Sequence, residues 1–119
     1  MIATHLADAS VWAELHRNDV AARLVSLLVG GGAATCGIVD LEVLRTFEDG
    51  PGRAEAAAER SAYPRVPVDD AVLDRALQVQ ALLDERVPTV ALVVAAAAER
   101  AGLVLLHHDD VYELSLIHI

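Results

Sequence analysis

The chain contains no lysine: all nine of its cationic side chains are arginines, set against eighteen carboxylates, and the formal net charge is −9. So acidic a protein lacks the broad basic surface that would hold a nucleic-acid backbone, and if its partner is a polyanion a metal ion must mediate. The single cysteine, Cys36, cannot form an internal disulfide and has no Cys or His partner at zinc spacing. It reads as a small buried hydrophobe in a reducing compartment. Aromatic residues make up only 3% of the chain, which leaves Ala, Val and Leu to build the core. The longest apolar run, Val90 to Ala98, is about half of the roughly 20 residues that span a bilayer. No cation precedes Arg17, so a secretory signal is not expected either. The expectation is one cytoplasmic domain with no membrane segment.

What is present alternates. Ile2 to Ala7 is a short apolar segment ending at Asp8, which reads as a buried strand with an acid at its carboxyl end, and Ser10 is placed to cap the helix that follows. Asp19 opens a second helix with Leu24, Leu27 and Leu28 on one face, stopped by Gly30-Gly31-Gly32. Ala33 to Cys36 reads as a strand, Gly37 to Phe47 as a helix, and Asp49-Gly50-Pro51-Gly52 as a break. Arg53 to Ala62 forms a short helix, and the proline-interrupted segment Tyr63 to Val68 an edge strand. Asp69-Asp70 cap a long helix with the apolar stripe Val72, Leu73, Ala76, Leu77, Val79 and Leu83. Val90 to Ala101 is a buried helix closed by Gly102, before a last strand, Leu103 to Leu106, that runs into His107-His108-Asp109-Asp110. Strands alternating with helices imply an α/β fold with a central parallel sheet covered on both faces. Its sites lie beyond the carboxyl ends of the strands.

Asp8 and Asp109 stand at two such ends. Asp40 and Glu42 are two apart on one helix and point roughly 200° away from each other, so only one can face a given cleft. Asp40 lies in the first turn, where the helix dipole favours a solvated carboxylate. Glu42 is flanked by Leu41 and Val43, and a carboxylate bordered by apolar side chains calls for a partner or a metal. His107 and His108 alternate faces if the strand continues through them, so they read as a strand end rather than as ligands. Asp8, Glu42 and Asp109 on three separate elements, without His or Cys, suit a hard cation, Mg²⁺ or Mn²⁺. Such an ion holds a phosphate oxygen and activates water, which makes phosphodiester hydrolysis the natural chemistry and explains how an acidic domain could take RNA.

The blocks LADASVWAEL, TCGIVDLEVL, DRALQVQALLDER and VVAAAAERAGLVLLHHDD resemble, in order and over nearly the whole chain, a PIN-domain ribonuclease of the VapC toxin type. The resemblance implies a three-layer α/β/α domain over residues 1–113 and a metal-dependent endoribonuclease of a bacterial toxin–antitoxin pair. It also implies a homodimer neutralised by a cognate antitoxin. Asp8, Glu42 and Asp109 would be the catalytic and metal-binding acids, with Ser10 orienting Asp8. Two features depart from the family. Ala91 stands where its pattern has an aspartate, which points to weakened activity or, alternatively, to a catalytically impaired module that only binds an antitoxin or its own copy. The family's last helix and edge strand are replaced by Leu114 to Ile119, expected to be a non-native tail. A phospho-accepting receiver domain, which shares the alternating architecture, is disfavoured because it would need a lysine.

Overall fold

The computed structural model describes residues 2–13, 18–48 and 50–107, with the side chains of 13 and 18–23 outside that description. The strands are β1 (His5–Ala7), β2 (Ala33–Cys36), β3 (Arg65–Val66) and β4 (Val104–Leu106). The helices are α1 (Ala9–Ala13), α2 (Asn18–Val29), α3 (Gly37–Leu44), α4 (Pro51–Ser61), α5 (Asp70–Leu82) and α6 (Thr89–Ala101). All strands pair in parallel in the order β3-β2-β1-β4.

Every residue of β2 is buried, as expected of a strand covered on both faces, where apolar residues run continuously rather than alternate. Leu6, Ala34, Cys36 and Val39 share the main core cluster with the buried stripe of α6, including Leu92, Val94 and Ala97. A smaller cluster of Ala7, Val11, Leu24 and Ala33 lies under α1 and α2, and the half-buried Trp12 packs against both. The caps follow the sequence. Asp69 accepts a bond from the Val72 N–H at 3.0 Å and starts α5. Gly102, at φ 69°, ends α6 in the left-handed conformation. Bonds from Gly102 N–H to the Glu99 carbonyl (3.1 Å) and from Leu103 N–H to the Ala98 carbonyl (2.9 Å) then satisfy carbonyls the helix leaves open.

Three expectations change. The helix α3 stops at Leu44, and Arg45 to Phe47 form a short turn instead of its last residues. Pro51 belongs to α4 as its first residue, where its missing N–H costs nothing. On α5 the buried stripe is Val72, Ala76 and Val79, whereas Leu73 and Leu77 are exposed. That helix therefore docks along a narrower seam than its composition suggests. His108, Asp109, Asp110 and the segment Leu114 to Ile119 lie outside the described residues.

The strand order places the site. The chain leaves β1 for β2 and β3 on one side and returns to β4 on the other, so the direction of winding reverses between β1 and β4. In open parallel sheets the crevice at such a switch point is where ligands bind. Ala7 pairs with Leu106 there, and the Asp8 N–H donates to the Leu106 carbonyl at 2.9 Å.

Candidate active site

Asp8 is 5% exposed and directly precedes α1. Its Oδ2 accepts from the Ser10 N–H at 3.2 Å and from the Ser10 hydroxyl at 2.8 Å. Asp8, not Ser10, is therefore the residue that caps α1. Ser10 supplies both donors that fix the rotation of the carboxylate. The expectation that Ser10 frees Asp8 from the capping role is corrected, because α1 begins at Ala9, two residues before Val11, where its apolar pattern would start it.

Asp40 is corrected as well. It is buried, 8% exposed, and its Oδ1 accepts from Arg60 Nε at 2.6 Å and from the Thr35 hydroxyl at 2.7 Å. Its Oδ2 pairs with Arg65 at 2.7 Å, and the Thr35 hydroxyl also accepts from the Arg60 guanidinium at 3.0 Å. Asp40 is enclosed rather than solvated because the first turn of α3 faces β2, β3 and α4 instead of water. Two guanidiniums compensate this carboxylate, which makes it a structural anchor. The sequence carried one hint, the cations at 60 and 65, but their approach to Asp40 is a long-range event.

Glu42 is half-buried and sits 3.8 Å from Arg45, the residue that follows α3. It lines a cleft of about 470 Å³ with Ser10 and Trp12 of α1, Arg60 of α4, Glu59 and Tyr63. The Trp12 and Tyr63 rings stack at 5.4 Å, and the Arg60 guanidinium lies 4.4 Å from the Trp12 ring and 5.5 Å from that of Tyr63. The Tyr63 hydroxyl donates to Glu59 Oε1 at 3.1 Å. Burial, and then this carboxylate, push the phenol's pKa up, so it stays a donor. Burial likewise pushes the Cys36 thiol up, with the Asp40 and Asp8 charges adding to the effect and the Val39 and Ile38 backbone opposing it. Sequence reasoning missed this aromatic and arginine wall, since Trp12, Arg60 and Tyr63 are scattered along the chain.

Ser10 thus links Asp8 and Glu42, bonding Asp8 on one side and lining the cleft with Glu42 on the other. Among the described residues no group of three or more His, Cys, Asp or Glu is placed to hold a metal. The third candidate acid, Asp109, lies outside them. Ala91 is in the first turn of α6 and 4% exposed. Among the described residues no helix is long and apolar enough to cross a membrane.

Comparison with known proteins agrees with this geometry. Ribonuclease VapC18 of Mycobacterium tuberculosis H37Rv is 34% identical over 113 residues, spanning 89% of this chain and 82% of that protein. Ribonuclease VapC21 of the same species is 33% identical over 121 residues, spanning 95% and 86%. The crystal structure of FitAcB from Neisseria gonorrhoeae superposes with a TM-score of 0.66 at 17% identity, covering 90% of this chain and 88% of that one. FitAB bound to an IR36 DNA fragment superposes at 0.63 and 15%, covering 87% and 94%. The model of the PIN domain matches residues 6–114, and with a parallel sheet whose central strand delivers a buried, serine-held aspartate to the switch point, this chain belongs to the PIN-domain family.

Proposed function

We propose that the chain is a divalent-metal-dependent endoribonuclease, the toxin of a toxin–antitoxin pair, which acts as a homodimer and is neutralised by a cognate antitoxin. The observation that carries the reading is Asp8: a carboxylate 5% exposed, at the carboxyl end of a central strand and oriented by two donors from one serine. The relatives named ribonucleases, at about a third identity over most of the chain, support the reaction class.

The donor set fits a hard cation, because Asp8, Glu42 and Asp109 offer only oxygen. Mg²⁺ or Mn²⁺ held there would polarise the scissile phosphodiester and lower the pKa of a water. Asp8 and Glu42 would hold the ion and Asp109 would complete the set, with Ser10 keeping Asp8 from rotating. Asp40 stays out of this chemistry because Arg60 and Arg65 already compensate it. Substituting Asp8→Asn should abolish RNA cleavage that depends on added Mg²⁺ or Mn²⁺, with the thermal transition retained. Undiminished cleavage by the variant would defeat the reading.

Ala91 favours a second reading, in which activity is weak or absent and the domain serves to bind. A buried alanine in the first turn of α6 supplies no ligand for a second ion. Two-metal hydrolysis uses ions about 4 Å apart, each with its own carboxylates. The proposed enzyme therefore binds one ion well and a second weakly, and its rate rises with metal concentration.

A further inference from the structure

We infer that Arg60 and Trp12 are positioning residues for the candidate site: Arg60 ties α1 to α3, and so sets how Asp8, held by Ser10, faces Glu42. The inference rests on the metal-dependent ribonuclease reading for what the two acids do, and on the geometry alone for how they are held.

The two acids belong to different elements, and each element carries a second residue that meets Arg60. Asp8 precedes α1, whose Ser10 bonds its carboxylate at 2.8 and 3.2 Å. Two residues further along α1 stands Trp12, with the Arg60 guanidinium 4.4 Å from its ring. Glu42 lies on α3 two residues after Asp40, which accepts from Arg60 Nε at 2.6 Å. The same guanidinium donates to the Thr35 hydroxyl of β2 at 3.0 Å. Arg60 is 4% exposed. A buried planar group that bonds along its edge and stacks on its face has one place to be, and arginine alone among the cations does both at once.

The short helix needs such a hold. It has five residues, and helices under about 12–15 residues are marginal on their own. The N–H groups of Val11 and Trp12 bond the Asp8 carbonyl at 3.0 and 3.5 Å, which joins α1 to Asp8 but not to anything outside. Val11, 1% exposed, packs with Ala7 and Ala33 and pins the turn to the sheet. One anchor leaves the turn free to roll about its axis. Trp12 lies about 100° further round and supplies the second. Its indole N–H is buried with no hydrogen-bond partner among the described residues, so the ring is held by contact. Arg60 and the Tyr63 ring, stacked on Trp12 at 5.4 Å and 11°, make that contact. Rolling α1 moves Ser10, and Ser10 turns the Asp8 carboxylate. Loss of Trp12 therefore reaches the site through Ser10, a signature that lost stability alone does not leave.

Two measurements on the full chain test this: calorimetric titration with Mn²⁺ in the absence of RNA, and exchange of the Ser10 amide proton by NMR in the absence of metal. Trp12→Leu, which keeps an apolar contact and loses the ring, should weaken Mn²⁺ about tenfold, and Arg60→Lys likewise. Trp12→Phe, which keeps a ring face, should stay within about threefold. Ser10→Ala should itself cost about tenfold. Adding Trp12→Leu to it should cost little more, because both act through one carboxylate. Trp12→Leu should speed exchange at Ser10 and leave that of Val94, buried in α6, unchanged. Gly102→Ala, which strains a helix end elsewhere, controls for lost stability and should leave Mn²⁺ affinity as it is. Unchanged affinity in Trp12→Leu and Arg60→Lys, a loss of about a hundredfold in the double variant, or an equal loss in Gly102→Ala each overturns the inference. RNA cleavage that still needs Asp8 then leaves the ribonuclease reading standing. Mn²⁺ binding by no form of the protein removes the metal reading instead, and amide exchange then decides alone: faster exchange at Ser10 in Trp12→Leu supports the hold on α1, and unchanged exchange overturns it.

Discussion

Substituting Arg60→Met tests whether the buried ion network holds α3 and α4 together. The guanidinium is 5% exposed and its partner carboxylate 12%, so the substitution leaves Asp40 charged in a poorly solvated place. Removing one partner of a buried pair costs about 3–5 kcal/mol. Arg65 at 2.7 Å and the Thr35 hydroxyl at 2.7 Å remain on Asp40, which argues for the lower end. Loss of the cation–π contact with Trp12 adds about 0.5–2 kcal/mol. We therefore expect about 4 kcal/mol, a large share of the roughly 6–18 kcal/mol that a domain of this length commands, and a fall in Tm of about 15 °C. Urea denaturation and calorimetry measure both. The decisive arm is the double variant Asp40→Asn, Arg60→Met. With the buried charge gone, and Arg65, whose side chain is 48% exposed, able to turn to water, the double variant should be more stable than Arg60→Met alone. A single variant that loses under about 1 kcal/mol, or a double variant less stable than the single, would refute the account of Asp40 as a carboxylate that needs compensation.

Ala91→Asp should lower Tm without metal, because a carboxylate then enters a site 4% exposed. Mg²⁺ or Mn²⁺ should restore the Tm and raise RNA cleavage, and an unchanged metal stoichiometry by calorimetric titration would contradict this. Gly102→Ala should cost about 1 kcal/mol, all of it conformational: φ is +69° and nothing lies within 4 Å of an added Cβ. A substitution without effect in urea denaturation would mean the helix end relaxes. Cys36 is buried and its thiol pKa is raised by that burial, so iodoacetamide should label it only on unfolding. The same shift makes the protonated thiol part of the native state, hence its contribution to stability is complete below the ordinary thiol pKa and is lost as pH climbs through the raised one. Fast labelling of the native protein would contradict both points.

The local devices were written in the chain. Gly102 after an apolar run ends α6 because only a residue without Cβ enters the left-handed region freely, and Asp69 starts α5 because its side chain reaches the third N–H. The all-buried AATC of β2 and the alternation of strands with helices implied a parallel sheet, and with it the carboxyl ends as the place for Asp8. Ser10 beside Asp8 was likewise legible, since the two are only two residues apart. Which of the pair caps the helix was not legible, because helix boundaries slip by a residue or two.

The tertiary structure decided everything that depends on which surfaces meet. Asp40 and Glu42 have equal claims in sequence, and helical geometry says only that they diverge. The packing of α4 against α3 brings Arg60 onto the first and leaves the second at the cleft. Leu73 and Leu77 obey the helical period as well as Val72 and Ala76 do, yet α6 covers only one seam of α5. The wall of Trp12, Arg60 and Tyr63 has no local signature, because its members come from α1, the end of α4 and the segment that follows. Sequence periodicity reports the face of an element that is apolar. Only the meeting of elements determines which charges lose their water, and therefore which carboxylates must find a cation and which acquire a chemical task.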